Sequence, residues 1–232
     1  MRLWFLVGLT LVFSSMGAFW QSGFGKPTPG TELVAEQVER KEVSGSIVFT
    51  YVLKANGYPV GERVGLMLEP AAVGKPDSEG RTMVGHFGGP MTVDEKGTLL
   101  RVNGAACTVA FHGLRPGETY YISIMSMGKK QLRSTTRVTP VPLEAKGGSC
   151  KVEAILTAAT GDAYEIRGTG FQPKEQVGVT RKSGGKVNED KVKAGDDGTW
   201  KLKVKLATKG QAVETVEMTF AGQTCEPPLI MP

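Results

Sequence analysis

The ten residues Gly57–Leu66 read GYPVGERVGL, and Gly170–Val179 read GFQPKEQVGV, a gapless offset of 113 positions. Gly57/Gly170, Glu62/Glu175, Val64/Val177 and Gly65/Gly178 are identical, and Tyr58/Phe171 and Leu66/Val179 keep aromatic and aliphatic character. The register continues upstream, where YVLKANG from Tyr51 aligns with YEIRGTG from Tyr164. One supersecondary plan used twice restricts the chain to tandem units of like fold. Further on, KGTL at Lys96–Leu99 aligns with DGTW at Asp197–Trp200 at an offset of 101. The offsets differ by 12, so the first copy carries an insertion, which falls in the Ala-, Gly- and Pro-rich stretch Pro70–Arg81.

Within each copy the apolar residues alternate. Ile47, Phe49, Tyr51 and Leu53 form one face of a strand, and Val64, Leu66 and Leu68 begin the next. Asn56-Gly57 supplies residues that accept a left-handed backbone between them. With 31 Gly and 13 Pro in 232 residues, many turns and short strands are expected and little helix. Leu33–Val43, which carries Glu36, Glu39, Arg40 and Lys41, reads as a helical turn or an irregular lead-in.

The amino terminus carries a different signal. Met1-Arg2 is followed by an almost wholly apolar run, Leu3–Phe13, with small residues at Ser15 and Gly17. This is the pattern of an export signal cleaved near Gly17 or Ala18; the uncharged stretch 3–20 is also near the lower limit for a retained anchor helix. Export places the chain in the periplasm or outside the cell, where cysteines pair by default. Cys150 and Cys225 lie at the two ends of the second copy and are expected to form a disulfide. Closing that loop constrains the unfolded chain by roughly 4 kcal/mol. Cys107, among Ala105, Ala106, Val109 and Phe111, reads as a small buried strand residue.

Two strings carry a resemblance. In HGLRPGETYYISI, from His112 to Ile124, the order Leu114, Pro116, Gly117, Tyr120, Ile122 resembles the corner before strand F of fibronectin type III and other immunoglobulin-like sandwiches. There a tyrosine hydroxyl bonds back to nearby backbone, a role the resemblance gives to Tyr120. GTGFQPKEQVGV at Gly168 and AGDDGTWKLKVKL at Ala194 resemble tandem bacterial immunoglobulin-like repeats, although Lys174 stands where such repeats often carry Gly, and many lack the terminal disulfide. The implied fold is all-β: two tandem immunoglobulin-like β-sandwich domains after a signal peptide or anchor helix. Its expected divisions are the export segment at 1–20, a flexible tether at 21–42, a first domain at 43–139, a linker at 140–148 and a second domain at 149–228. Members of such families are mostly spacers, adhesive stalks or accessory binding domains.

No catalytic signature accompanies this fold. The two histidines, His86 and His112, lack HxH or HExxH spacing, there is no CxxC, and no GxSxG elbow is present, so no catalytic, metal or cofactor residues are assigned. Asp94-Glu95-Lys96-Gly97 and Asp196-Asp197-Gly198 lack the spaced oxygen donors of a calcium loop and read as turns. Glu62 and Glu175 are equivalent by repeat, which favours a structural role: accepting backbone N–H bonds at a bend.

Two surfaces remain as candidates for binding. Loops that depart from a repeat's plan often carry function, and the insertion runs into GRTMVGHFGGPM, with Met83, His86, Phe87 and Met91. In WKLKVK, Lys201, Lys203 and Lys205 alternate with an apolar face; they either guard a sheet edge or join Arg181 and Lys182 in a basic patch. Otherwise the net charge of +5 comes from 28 basic and 23 acidic residues that are interspersed, which does not point to nucleic acid. The expected partner is another envelope or extracellular protein or a polysaccharide, with membrane contact only through an uncleaved amino-terminal helix. Accessory work on polysaccharide, or chaperoning through an edge strand, are the alternatives.

Overall fold

A computed structural model describes residues 26–72, 86–206 and 215–231, with 86–88 as backbone. The stretch read as an export signal, most of the insertion and Met83 lie outside the described residues. Every regular element among those described is a strand, and all strand pairs are antiparallel. Among the same residues no helix is long and apolar enough to cross a membrane.

The first sandwich contains β1 (Glu32–Val43), β2 (Ser46–Asn56), β3 (Arg63–Pro70), β4 (His86–Val93), β5 (Leu99–Leu100), β6 (Thr108–Phe111), β7 (Tyr120–Ser126) and β8 (Arg133–Val138). These form sheets ordered β1-β2-β6 and β5-β4-β3-β7-β8. The period-2 alternation of β2 points Phe49, Tyr51, Leu53 and Ala55 inward, where they meet Val64 and Leu66 of β3 and Ile122 and Ile124 of β7. Each fully buried aliphatic side chain, such as Leu53 or Ile122, contributes about 1.5–3 kcal/mol relative to exposure.

The second sandwich contains β9 (Leu143–Gly147), β10 (Cys150–Leu156), β11 (Ala163–Thr169), β12 (Gln176–Ser183), β13 (Lys186–Lys193), β14 (Trp200–Lys205), β15 (Val216–Ala221) and β16 (Pro228–Met231). Its sheets are ordered β14-β11-β10-β9 and β13-β12-β15-β16. Trp200 packs edge-on to Phe171 and tilted against Phe220, and its indole occupies the space above Gly168, where a Cβ would lie 2.1 Å from the ring. The first copy has Ala55 and Leu99 at these two positions, so the larger ring is matched by the smaller neighbour.

The repeat is a repeat of backbone geometry. Gly57 and Gly170 have φ of 77° and 78°, Gly61 and Lys174 have 81° and 62°, and Gly97 and Gly198 have 77° and 70°. A Cβ on Gly57 would lie 2.1 Å from the Gly30 carbonyl oxygen just before β1, and one on Gly170 would lie 2.2 Å from the Ser149 oxygen just before β10. Those two pinches make β1 and β10 equivalent, which leaves β9 without a counterpart.

That extra strand sets the arrangement of the molecule. The chain leaves β8 toward the second sandwich, turns away along β9, and returns along β10, which pairs with β9 antiparallel from Cys150↔Gly147 to Ala154↔Leu143. The second sandwich is therefore inverted relative to a simple translational tandem, and like ends face each other. The corner before β7 meets the β10–β11 turn.

Several expected boundaries move. The tether assigned to 21–42 is strand from Glu32 onward, because β1 pairs along its whole length with β2 and buries Leu33; its charged residues belong to a projecting ribbon, with no helical turn. The linker assigned to 140–148 contains β9, and the second sandwich runs past 228 because Leu229 and Met231 are core residues. The insertion begins after β3 rather than at Pro70, and at the corresponding place β12 and β13 are joined by the two residues Gly184-Gly185. The strand expected at Cys107–Phe111 is β6, which begins one residue later, at Thr108. β5 pairs with β4, and after the Arg101–Ala106 excursion β6 pairs with β2 in the other sheet.

Candidate functional site

Three glutamates hold the turns that end the sandwiches. Glu175 is 5% exposed; Oε1 accepts the Gln172 N–H at 2.7 Å and Oε2 the Gln223 N–H at 2.9 Å. Its repeat partner Glu62 accepts the Ser126 hydroxyl and, at 3.2 Å, the Gly128 N–H. Each carboxylate thus ties the turn before a central strand to a later turn, the structural role expected from the repeat. Glu118 does related work at the corner before β7. It accepts the Arg115 N–H at 2.9 Å and the Tyr120 hydroxyl at 2.8 Å, while the Arg115 guanidinium donates to the Ala159 carbonyl at 2.8 Å. The Tyr120 hydroxyl therefore reaches a carboxylate two residues upstream. Sequence reading missed Glu118; the available signal was RPGE at Arg115–Glu118, which matches QPKE at Gln172–Glu175, where the first N–H likewise bonds the carboxylate three residues on.

This corner is one half of the junction between the sandwiches. Gly117, with φ 79°, donates to the Val141 carbonyl at 2.9 Å and accepts the Leu156 N–H at 2.9 Å. A Cβ there would lie 2.7 Å from the Ala154 oxygen, so only glycine allows the approach. Arg137 of β8 makes a two-pronged ion pair with Glu153 of β10, both N–H···O distances 2.9 Å. Ala71 donates to the Thr119 carbonyl at 2.8 Å, and Ala72, which follows β3, is buried in the core of the second sandwich.

Beside the junction lies a cleft of about 220 Å³ lined by Arg137, Leu143, Glu144, Lys151 and Glu153. Glu144 and Glu153 are register partners, a pair that invites an acid–base reading. Each is ion-paired, Glu153 to Arg137 and Glu144 to Lys151. Burial works to raise the Glu153 pKa, but the hydrogen bonds and charge of Arg137, helped by Arg167 and Lys151, outweigh it and hold the carboxyl below the ordinary glutamate value. A general acid needs the opposite shift. Among the described residues no group of three or more His, Cys, Asp or Glu is placed to hold a metal ion.

The other sequence-derived residues fall as follows. Cys150 and Cys225 form a disulfide with Cα atoms 5.9 Å apart. It joins the start of β10 to the turn before β16, at the end of the second sandwich away from the junction. Cys107 is a free, buried thiol whose pKa burial pushes up, with Arg101 offsetting part of the rise. His86 and Phe87 stand in β4, opposite Leu68 and Met67, rather than on a loop. Met91 is 4% exposed and belongs to the first core, because β4 places it opposite Val64; it is not available to a ligand.

The basic residues separate. Lys201, Lys203 and Lys205 project from β14, an edge strand, opposite Arg167, Glu165 and Ala163 of β11. Burial, and then the Arg167 charge, lower the Lys201 pKa against the pull of Glu165. Arg181 and Lys182 lie on β12 in the opposite sheet, so the two groups do not form one patch. At the remote end of the first sandwich, Val60, Gly61, Glu62, Arg63, Met127 and Gly128 line a shallow cleft of about 370 Å³.

No protein-family model matches the chain, and no curated protein matches it. Among solved structures it is similar to a red sea bream transglutaminase, at 10% identity over 88% of this chain and 31% of that one, with a TM-score of 0.29. It is also similar to a tetra-tandem repeat from the extending region of a large adhesion protein, at 14% identity over 87% of this chain and 49% of that one, with a TM-score of 0.27. The chain thus spans about a third and about half of the length of these two. Likeness at this level leaves the chemistry to the chain's own residues.

Proposed function

We propose that this is an exported, non-catalytic module of the cell envelope or extracellular space, built from two immunoglobulin-like sandwiches of fibronectin type III character, that binds or spaces other envelope components. The observation that carries the reading is the junction. Gly117, Arg115 and Arg137 lock two separate cores end to end through backbone bonds and a two-pronged ion pair, which suits a stiff spacer or display element. The acids of the adjoining cleft are each tied to a cation, which suits a surface better than proton transfer. The strand order supports the fold assignment: β1, β2 and β6 face a sheet centred on β3, and their counterparts β10, β11 and β14, joined by the added β9, face a sheet built on β12 and β15. The Cys150–Cys225 disulfide and the apolar Leu3–Phe13 run support export.

The edge-strand chaperone reading is weaker. β1 carries a bulge between Gln37 and Glu39, β14 carries three lysines, and β16 starts with Pro228, each a device that discourages strand addition.

Cell fractionation with thiol trapping, followed by capture from envelope extracts, tests the proposal. The expected result is an envelope or extracellular chain with Cys150 and Cys225 oxidised, retaining an intact protein or polysaccharide. A cytoplasmic chain with both cysteines reduced, or turnover of the captured polysaccharide, would overturn it.

A further inference from the structure

We infer that the end of the first sandwich remote from the junction docks on the anionic headgroups of a lipid bilayer; this rests on the proposed envelope location of the chain, and residues 3–20, where retained, add an anchor beside that face. Three connections meet at that end: 57–62 after β2, 94–98 after β4 and 127–132 after β7. The chain also enters there. Thr28 donates its N–H to the Arg133 carbonyl at 2.8 Å, and its hydroxyl oxygen accepts the Arg133 N–H at 3.0 Å. From Trp20, the last residue of the uncharged stretch, to Thr28 the chain can span at most about 28 Å. An anchor in the bilayer therefore holds this end, and not the second sandwich, next to the headgroups.

The chemistry of the face suits that neighbour. Lys129 and Lys130 are exposed in the β7–β8 connection, with Arg63 exposed at the start of β3 and Arg133 beside the pinned entry. Two acids of the same end are half-buried and turned to local work: Glu62 accepts from Ser126 and Gly128, and Asp94 accepts the N–H groups of Lys96 and Thr98. Glu95 and Glu32 are the exposed acids of this end; Lys96 follows Glu95 directly, and Glu32 accepts from the Asn56 side chain at 3.1 Å. Val60 and Met127, 64% and 52% exposed, line one cleft with Arg63, and exposed apolar side chains of this kind enter the headgroup boundary. Juxtamembrane lysines and arginines are attracted by anionic leaflets within a Debye length of the surface.

The test uses the full chain with Cys107→Ala and one reporter dye, at Val60→Cys in the face or at Asp196→Cys in the far turn of the second sandwich. Each form is mixed with vesicles of neutral phosphatidylcholine or with vesicles containing about 30% phosphatidylglycerol, which carry a headgroup quencher. Flotation reports the anchor, and quenching reports the face. The inference expects quenching at position 60, not at 196, on anionic vesicles only, lost in high salt and reduced at least about tenfold by Lys129→Glu with Lys130→Glu. A chain that floats on both vesicles without charge-dependent quenching overturns the docking face and leaves the anchor standing. A chain that floats only on anionic vesicles, quenched at 60, supports the face and overturns the anchor. Failure to float on either overturns both.

Discussion

Replacing Glu175 with alanine should destabilise the second sandwich by about 3 kcal/mol. The carboxylate accepts two backbone N–H bonds, from Gln172 at 2.7 Å and Gln223 at 2.9 Å, and both are partly buried. A bond from a neutral donor to a charged acceptor contributes about 1.5–3 kcal/mol net, and partial access of water to the released donors places each at the low end. Glu62→Ala should cost about half as much. One of its two partners is an exposed N–H at 3.2 Å, and the released Gly128 N–H already has the Ser126 hydroxyl oxygen at 3.1 Å. The assay is thermal and urea unfolding with the disulfide intact, in a background carrying Trp4→Phe and Trp20→Phe. Emission then comes from Trp200, in the core of the second sandwich. At about 4 °C or more per kcal/mol for a unit of this size, Glu175→Ala should lower the Trp200 transition by at least about 12 °C. Glu175→Gln keeps one acceptor and should recover part of the loss. A Glu175→Ala cost below about 1 kcal/mol, or a Glu175→Gln variant as stable as the parent, would refute the latch argument.

Lys174 adopts φ 62°, the backbone its repeat partner Gly61 adopts freely, and its ion pair with Asp196 is highly exposed. Lys174→Gly should therefore raise stability by about 0.5–1 kcal/mol in the same unfolding assay, and a loss would count against strain at this turn. The folded-state pKa of Glu153 lies below its unfolded value near 4.3, so its ion pair stabilises the junction above that pH and the contribution is lost as pH falls through the lower folded value. The protection factor of the Leu156 amide, taken against the intrinsic exchange rate at each pH, should fall over that acid range in the parent and already be low at neutral pH in Arg137→Ala; equal protection in both would show that the pair does not hold the junction. Burial keeps Cys107 as a thiol, so a thiol reagent at pH 8 should label it more than about 100-fold slower than free cysteine until the first sandwich unfolds; rapid labelling of the native chain would exclude the packed environment.

Sequence alone determined the features that depend on neighbouring residues. Alternation placed Phe49, Tyr51 and Leu53 on an inward face, turn chemistry placed the left-handed backbone at Gly57 and a turn at Gly198, and the repeat made Gly170 the partner of Gly57. The repeat also exposed the insertion and gave Glu62 and Glu175 one structural role. Candidate binding residues were less legible. Met91 and Phe87 follow loop-like residues in the sequence yet stand in β4, because pairing with β3 decides their environment. Lys201 and Arg181 lie twenty positions apart, but on different sheets.

Only the tertiary structure decided how the two units meet. LEAKG at Leu143–Gly147 has too short an alternation to separate a strand from a linker, and pairing with β10 makes it one. That added strand reverses the chain and turns a translational repeat into a head-to-head one. The bonds that fix the result, Gly117 to Leu156 and Arg137 to Glu153, join residues whose proximity no local pattern encodes. The physical reason is range: side-chain periodicity and turn propensity act over a few residues, whereas the junction depends on close packing between surfaces that exist only after each core has formed.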